Sequence, residues 1–210
     1  MNKPVVSKRT KGELTAARIL DAAEGVFARR GFGGSSLREI ADQAGIREPG
    51  LYNYFANKRE LYAAVLDRAL MPMAMAMEQQ LTQEGGLRGY AQLPAIMTDL
   101  LLEHPAMAAL FQQALQAGDD SSEGHELTGQ WLDRLFNQAI STLHELGYDS
   151  VDRASLAIQT IAMFNLCTGY FLSQRAFASM ADGDLCDAEN VARQKLLLAR
   201  MQRAMLLSQD

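Results

Sequence analysis

The sequence predicts an all-α protein in which a small N-terminal three-helix unit precedes a larger helical region. Three observations carry this reading. Apolar residues recur at helical spacing from Ile19 onward, hydroxyl residues followed three positions later by glutamate mark helix starts, and no stretch alternates as a half-buried strand would.

The first helix is expected from about Lys11 to Arg30, with Thr10 and Glu13 as a capping box, Ile19, Ala23, Val26 and Phe27 on one face, and Gly31 at its end. Gly33-Gly34 extends the break. Ser36-Leu37-Arg38-Glu39 supplies a second capping box for a short helix through Ile40 and Ala41 that stops at Gly45. A third helix is expected from about Glu48 to Phe55, because proline is tolerated in a first turn and Leu51 and Phe55 then share the inner face. Asn57 caps a fourth, which carries Leu61, Val65 and Leu66 and is expected to kink at Pro72 within a methionine-rich stretch. Beyond Gly85-Gly86, four or five more helices are expected near residues 89–102, 105–117, 124–146, 150–180 and 187–207.

With 210 residues, 48% hydrophobic and 21% charged, the chain is long enough to bury a core. Its basic N-terminus lacks the apolar run of a secretory signal, and the longest apolar run, Ile161 to Leu172, is too short to cross a bilayer and contains Asn165 and Thr168. Only Cys167 and Cys186 occur, too few for a disulfide framework, so a cytoplasmic location without membrane contact is expected. The net charge of −5 conceals a division: residues 1–60 hold 11 Lys and Arg against 7 Asp and Glu, while the rest of the chain is strongly acidic. One end suits a polyanion.

Two short helices joined by Ala44-Gly45-Ile46 have helix-turn-helix spacing, since glycine permits the sharp turn and apolar residues on both helices set the angle. Such a pair by itself is also an ordinary helical hairpin. The surrounding text, with Ile19-Leu20, Ala22-Ala23, Phe27, Gly31-Phe32, Ile40-Ala41, Ala44-Gly45, Leu51-Tyr52, Tyr54-Phe55, Lys58 and Leu61 in order, closely resembles the DNA-binding domain of the TetR family of bacterial transcriptional regulators.

The resemblance implies a helix-turn-helix DNA-binding domain over residues 12–72 and a helical ligand-binding and dimerisation domain over residues 73–210. It implies that the helix from about Glu48 enters the major groove, while the starts of the second and fourth helices hold phosphates. The residues suit those roles. Ser36, Arg38 and Lys58 offer a hydroxyl and positive charge to phosphate, Tyr52 and Tyr54 offer hydroxyls to phosphate or sugar, and Asn53 can pair with an adenine edge. Tyr52 alternatively packs into the core. Glu48 is tolerable at a helix start or faces a cytosine amino group, and Pro49 stands in the same first turn. Arg47 replaces the small capping residue common in the family, so capping is expected from elsewhere; Gly50 replaces a frequent hydroxyl residue, so that contact is either missing or supplied by the Gly50 amide.

No catalytic constellation is visible, and His104, His125 and His144 lack metal-ligand spacing, so neither enzyme activity, metal nor cofactor is expected. The expected partners are a palindromic or near-palindromic operator, a second copy bound through helices near 150–180 and 187–207, and a small, largely apolar effector. The helix near 150–180 is apolar almost all round, which calls for burial on two sides, and Leu197, Met201, Ala204 and Met205 share a face of the last helix. Met71, Met73, Met75 and Met77, like Met97, Met107, Phe111, Trp131 and Phe164, either line a cavity or pack as plain core. A repressor released by its ligand is the expected function; the alternatives are an activator and a regulator whose C-terminal domain only dimerises.

Overall fold

The computed structural model describes residues 10–83, 87–116, 123–145 and 152–207. The basic arm at residues 1–9 and the Gly85-Gly86 break lie outside the described residues. Within them the chain forms α1 (Lys11–Arg30), α2 (Leu37–Gln43), α3 (Glu48–Leu51), α4 (Lys58–Gln83), α5 (Leu87–Glu103), α6 (Ala106–Gln116), α7 (Glu123–Glu145), α8 (Arg153–Phe171), α9 (Gln174–Ala178) and α10 (Ala188–Leu207), and no strand.

The caps explain where these helices begin. Thr10 Oγ1 accepts from the Glu13 amide at 3.2 Å while Glu13 accepts from the Thr10 amide at 2.6 Å, a complete capping box. Ser36 makes only half of one. Its hydroxyl accepts from the Glu39 amide, but the Glu39 carboxylate turns to the Arg30 guanidinium at 3.0 Å, tying α2 to the end of α1. Asn57 accepts from the Glu60 amide at 2.8 Å and Glu60 reaches back to the Ala56 amide, which starts α4 as expected. The α4 helix runs through Pro72, which has no N–H to give the preceding turn.

The expected single helix near 150–180 is broken. Leu172 and Ser173 donate to the carbonyls three residues back, and the Ser173 hydroxyl also takes the Gly169 carbonyl at 2.6 Å, so the last turn tightens and α8 ends. The chain then folds back: Gln174 accepts from the Leu185 amide, the Tyr170 hydroxyl donates to the Leu185 carbonyl, and Leu185 is buried.

One apolar cluster runs from Ile19, Val26 and Phe27 through Leu51, Leu61 and Leu66 to Leu101, Phe111, Leu132 and Phe164. The three N-terminal helices therefore share their core with α5 through α8. Each such fully buried side chain contributes about 1.5–3 kcal/mol, so the N-terminal unit takes much of its stability from the helices that follow. A partly buried ionic cluster centred on the buried Glu24 carboxylate reinforces the junction. Arg68 of α4 donates to Asp21 and Glu24 of α1, both at 2.6 Å, and His104, between α5 and α6, lies 3.0 Å from the same Glu24 oxygen.

Removing one partner of a buried pair strands the other charge. Arg68→Met is expected to destabilise the protein by about 3 kcal/mol in urea denaturation, because Glu24 stays buried without its guanidinium. Adding Glu24→Gln is expected to recover a large part of that loss; a double variant as unstable as the sum of the singles refutes the pairing argument.

Candidate nucleic-acid interface and effector cavity

The turn between α2 and α3 sets how α3 is presented. Gly45 has φ +69, the Ile46 amide donates to Ala41 and the Gly45 amide to Asp42, so glycine in the left-handed region closes α2 with paired bonds. Any side chain there is strained, because a Cβ in that region crowds the following carbonyl. Leu51 and Phe55 point inward from α3 and the turn after it, and Leu51 is wholly buried.

The recognition segment is shorter than expected as a helix. It is α-helical only over Glu48–Leu51 and continues as a turn, in which the amides of Tyr54 and Phe55 donate to the Leu51 carbonyl. That turn still exposes one continuous face. Arg47, Pro49, Tyr52, Asn53 and Tyr54 are exposed, with Tyr52 at 51%, so Tyr52 is not core. Glu48 and Gly50 are half-buried beside them.

Two details correct the capping expectation. Arg47 makes no side-chain cap bond, and among the described residues no other side chain caps α3. The Gly50 amide donates to the Arg47 carbonyl at 2.8 Å, which commits it within the chain rather than leaving it for a phosphate. A Cβ at Gly50 would meet nothing within 4 Å, so packing within the chain does not demand glycine there.

Around this face the donors differ in how free they are. Ser36 uses an oxygen lone pair on the Glu39 amide, which leaves its exposed hydroxyl proton for an outside acceptor. Arg38 and Arg47 are exposed and unpaired among the described residues. Lys58 is committed differently. Its ammonium donates to the carbonyls of Phe32 at 2.7 Å and Ser35 at 3.1 Å and sits 4.5 Å from the Phe32 ring centre, so it pins the α1–α2 turn to α4 and keeps at most one N–H for a phosphate. Arg59 is drawn to Glu126 of α7.

A second feature lies away from this face. Between α5, α7, α8 and α10 is a cavity, half open to solvent, whose empty space counted out into that solvent is about 540 Å3, walled by apolar side chains such as Leu93, Met97, Phe136, Met163 and Phe164. Tyr90, Thr160 and Gln202 bring the polar atoms. Of the residues that sequence reading left between core and cavity, Met97 and Phe164 line this space, whereas Met107 and Phe111 stand at a much smaller gap by Ala69 and Leu70. Trp131 is half-buried with the Arg134 guanidinium 5.2 Å from its ring. Met71 and Met75 of the methionine stretch are exposed. Burial pushes the Cys167 thiol, also in the cavity wall, up to about 12, and burial with Asp184 and Asp187 nearby raises Cys186, so both resist forming thiolates.

Gln202 had no signal in the sequence. It reads there as one more polar residue on an amphipathic helix, and only packing of α10 against α5 and α8 buries it.

Residues 19–65 match the family model described as bacterial regulatory proteins, tetR family. The chain is 42% identical over 64 residues to the HTH-type transcriptional activator FasR of Mycolicibacterium smegmatis, covering 30% of this chain and 29% of FasR. It is 39% identical over 64 residues to the HTH-type transcriptional repressor SCO4008 of Streptomyces coelicolor, covering 30% of this chain and 33% of the relative. The similarity thus spans about a third of these relatives' length. The regulator FadR of Bacillus subtilis, solved in complex with stearoyl-CoA, aligns over 87% of this chain and 97% of its own with a TM-score of 0.61 at 19% identity, a likeness of fold.

The contrast between pinned and free donors has a measurable consequence. Lys58→Met is expected to lower the melting temperature by about 5 °C, since two charge-assisted bonds to backbone carbonyls are lost. Arg38→Ala is expected to leave it within about a degree. Equal melting of both variants and the parent protein would remove Lys58 from the role of a pin.

Proposed function

We propose, from the premise that this chain is a TetR-family regulatory protein by its N-terminal domain and its fold, that it is a sequence-specific DNA-binding repressor released from its operator by a small, largely apolar ligand. The observation that carries the DNA-binding reading is the exposed face of Arg47, Tyr52, Asn53 and Tyr54, flanked by Ser36 and Arg38 on α2. Asn53 is assigned to base edges and the arginines and hydroxyls to phosphate and sugar. Glu48, Pro49 and Gly50 shape the leading edge of this face, and Lys58 acts mainly by holding the turn that carries Ser36.

A second copy completes the reader. Ile158, Ile161 and Leu166 of α8 lie exposed, Ile158 at 67%, and Leu196 and Leu197 of α10 are exposed as well. Such apolar faces on two helices suit a four-helix contact with a symmetric partner, which would present two recognition segments to a palindromic operator. Phe164 does not belong to this face. It is 4% exposed and packs its ring against Phe111 and Phe136.

The cavity is the proposed effector site. Two of its walls, α5 and α7, pack on α4, and α6 packs on α1, where Gln113 also donates to the Ala28 carbonyl. A ligand that spreads these walls therefore pushes on the helices that carry the recognition segment. Changing operator affinity a hundredfold requires about 2.7 kcal/mol of difference between the two states' ligand affinities. Activation is kept as a second reading because the similar regulator FasR is an activator.

Selection from random DNA with the purified protein is expected to yield an inverted repeat, and binding to it should weaken steeply with salt. Recovery of no common sequence overturns the regulator reading. Asn53→Ala is expected to relax base preference at one position per half-site by about 1–3 kcal/mol, whereas Arg38→Ala lowers affinity for all sequences and reduces the salt slope by about 1.

In light scattering the protein is expected at twice its 23.1 kDa chain mass, and Ile161→Glu is expected to yield folded monomer with weakened operator binding. Phe164→Glu, by contrast, should unfold the domain. A dimer untouched by both Ile161→Glu and Leu197→Glu places the contact elsewhere.

A further inference from the structure

The polar end of the cavity contains an unanswered hydrogen-bond acceptor. The Thr160 hydroxyl donates to the Leu156 carbonyl at 2.9 Å, and the Tyr90 hydroxyl engages the side chains of both Thr160 and Gln202. With its own proton on Leu156, the Thr160 oxygen receives the proton of Tyr90, and the Tyr90 oxygen is then free to receive an N–H of the Gln202 amide. The chain of donors runs one way and orients the amide. Among the described residues Gln202 Oε1 is buried without a hydrogen-bond partner, in a residue only 4% exposed. Buried polar atoms in folded proteins are nearly always paired, so this oxygen marks where a donor belongs.

The rest of the wall defines the body that would bring that donor. Among the described residues no lining side chain carries a charge, and Lys195, a cation of α10, is bound to Asp99. A carboxylate or phosphate brought here would be buried without a cation and would face the lone pairs of Oε1. An ammonium would donate well but would find no carboxylate.

We propose that this cavity takes a neutral amphiphile, with an apolar body among Leu93, Met97, Phe136 and Met163 and one O–H or N–H donated to Gln202 Oε1. This rests on the reading of the cavity as the effector site and names the chemistry that site selects. It also sets the cavity apart from one that holds an anionic headgroup.

Three probes of nearly one shape test it: 4-butylbenzyl alcohol, its hydrocarbon isostere 1-butyl-4-ethylbenzene, and 4-butylbenzoate. Binding to the full-length protein is read by calorimetry at neutral pH and by the fluorescence of Trp131, the single tryptophan. The alcohol is expected to bind about tenfold more tightly than the hydrocarbon, the worth of one buried hydrogen bond, and the benzoate not measurably. In Gln202→Leu the preference for the alcohol should fall to about one while the hydrocarbon still binds. Equal affinity of alcohol and hydrocarbon for the unmodified protein overturns the proposal without any variant, as does tighter binding of the benzoate. If none of the three binds, both this proposal and the effector reading fail. If the alcohol binds as expected but operator affinity is unchanged, the ligand chemistry stands and the regulatory reading is the one that fails.

Discussion

Three parts of this protein meet at Phe32. Its ring packs against Phe27 and Tyr62, its carbonyl receives the Lys58 ammonium, and its Cβ lies so close to Gly124 that a side chain on that residue would collide with it. Phe32 stands in the turn from α1 to α2, Lys58 begins α4, and Gly124 is in the first turn of α7. The Tyr62 hydroxyl adds a buried 2.7 Å bond to Thr128 one turn further along α7. The start of the recognition motif is thereby held against the helix that walls the cavity. A packed interior has few ways to relax, so these contacts hold the turn and α7 in one fixed arrangement.

The ionic cluster of Glu24, Arg68 and His104 does related work one turn earlier on α1. Buried charges contribute little to net stability, since desolvation offsets most of their attraction. Their requirement for matched geometry is what counts. A carboxylate that must satisfy both a guanidinium from α4 and an imidazole from the α5–α6 junction holds three helices in register. Two separate contacts, one aromatic and one ionic, therefore fix α1 to the helices behind it, with Gln113 as a third at the Ala28 carbonyl.

The surface of the same framework divides its apolar and charged groups by task. On α8, Leu156, Met163, Phe164 and Cys167 face inward, while Ile158, Ile161 and Leu166 remain outside. The all-round apolar character of that helix follows from having two apolar neighbourhoods, one a core and cavity, the other an uncovered face. Near the recognition segment the carboxylates and cations are partly neutralised within the chain, Glu39 by Arg30 and Arg59 by Glu126. Arg38 and Arg47 stay exposed there and unpaired among the described residues.

Much of this was legible in the residues alone. Thr10 with Glu13, Asn57, the glycines at positions 31 and 45, and the periodic apolar faces determined the helices because caps, turns and amphipathicity act over four or five residues. The order of Leu51-Tyr52 and Tyr54-Phe55 likewise set inward and outward positions in the recognition segment, since alternate burial there follows from local helical geometry. Other features were decided only in three dimensions. Lys58 reads as a free cation until the Phe32 and Ser35 carbonyls are placed beside it, the helix near 150–180 reads as continuous until Ser173 caps the Gly169 carbonyl, and Phe164 reads as either core or cavity wall until Phe111 and Phe136 pack against its ring beside the cavity. Gln202 and Tyr90 lie more than a hundred residues apart and carry no joint signal. Their pairing, and the buried oxygen it leaves open, depends on how α5, α8 and α10 pack, and long-range packing of side chains is not encoded in any short window of sequence.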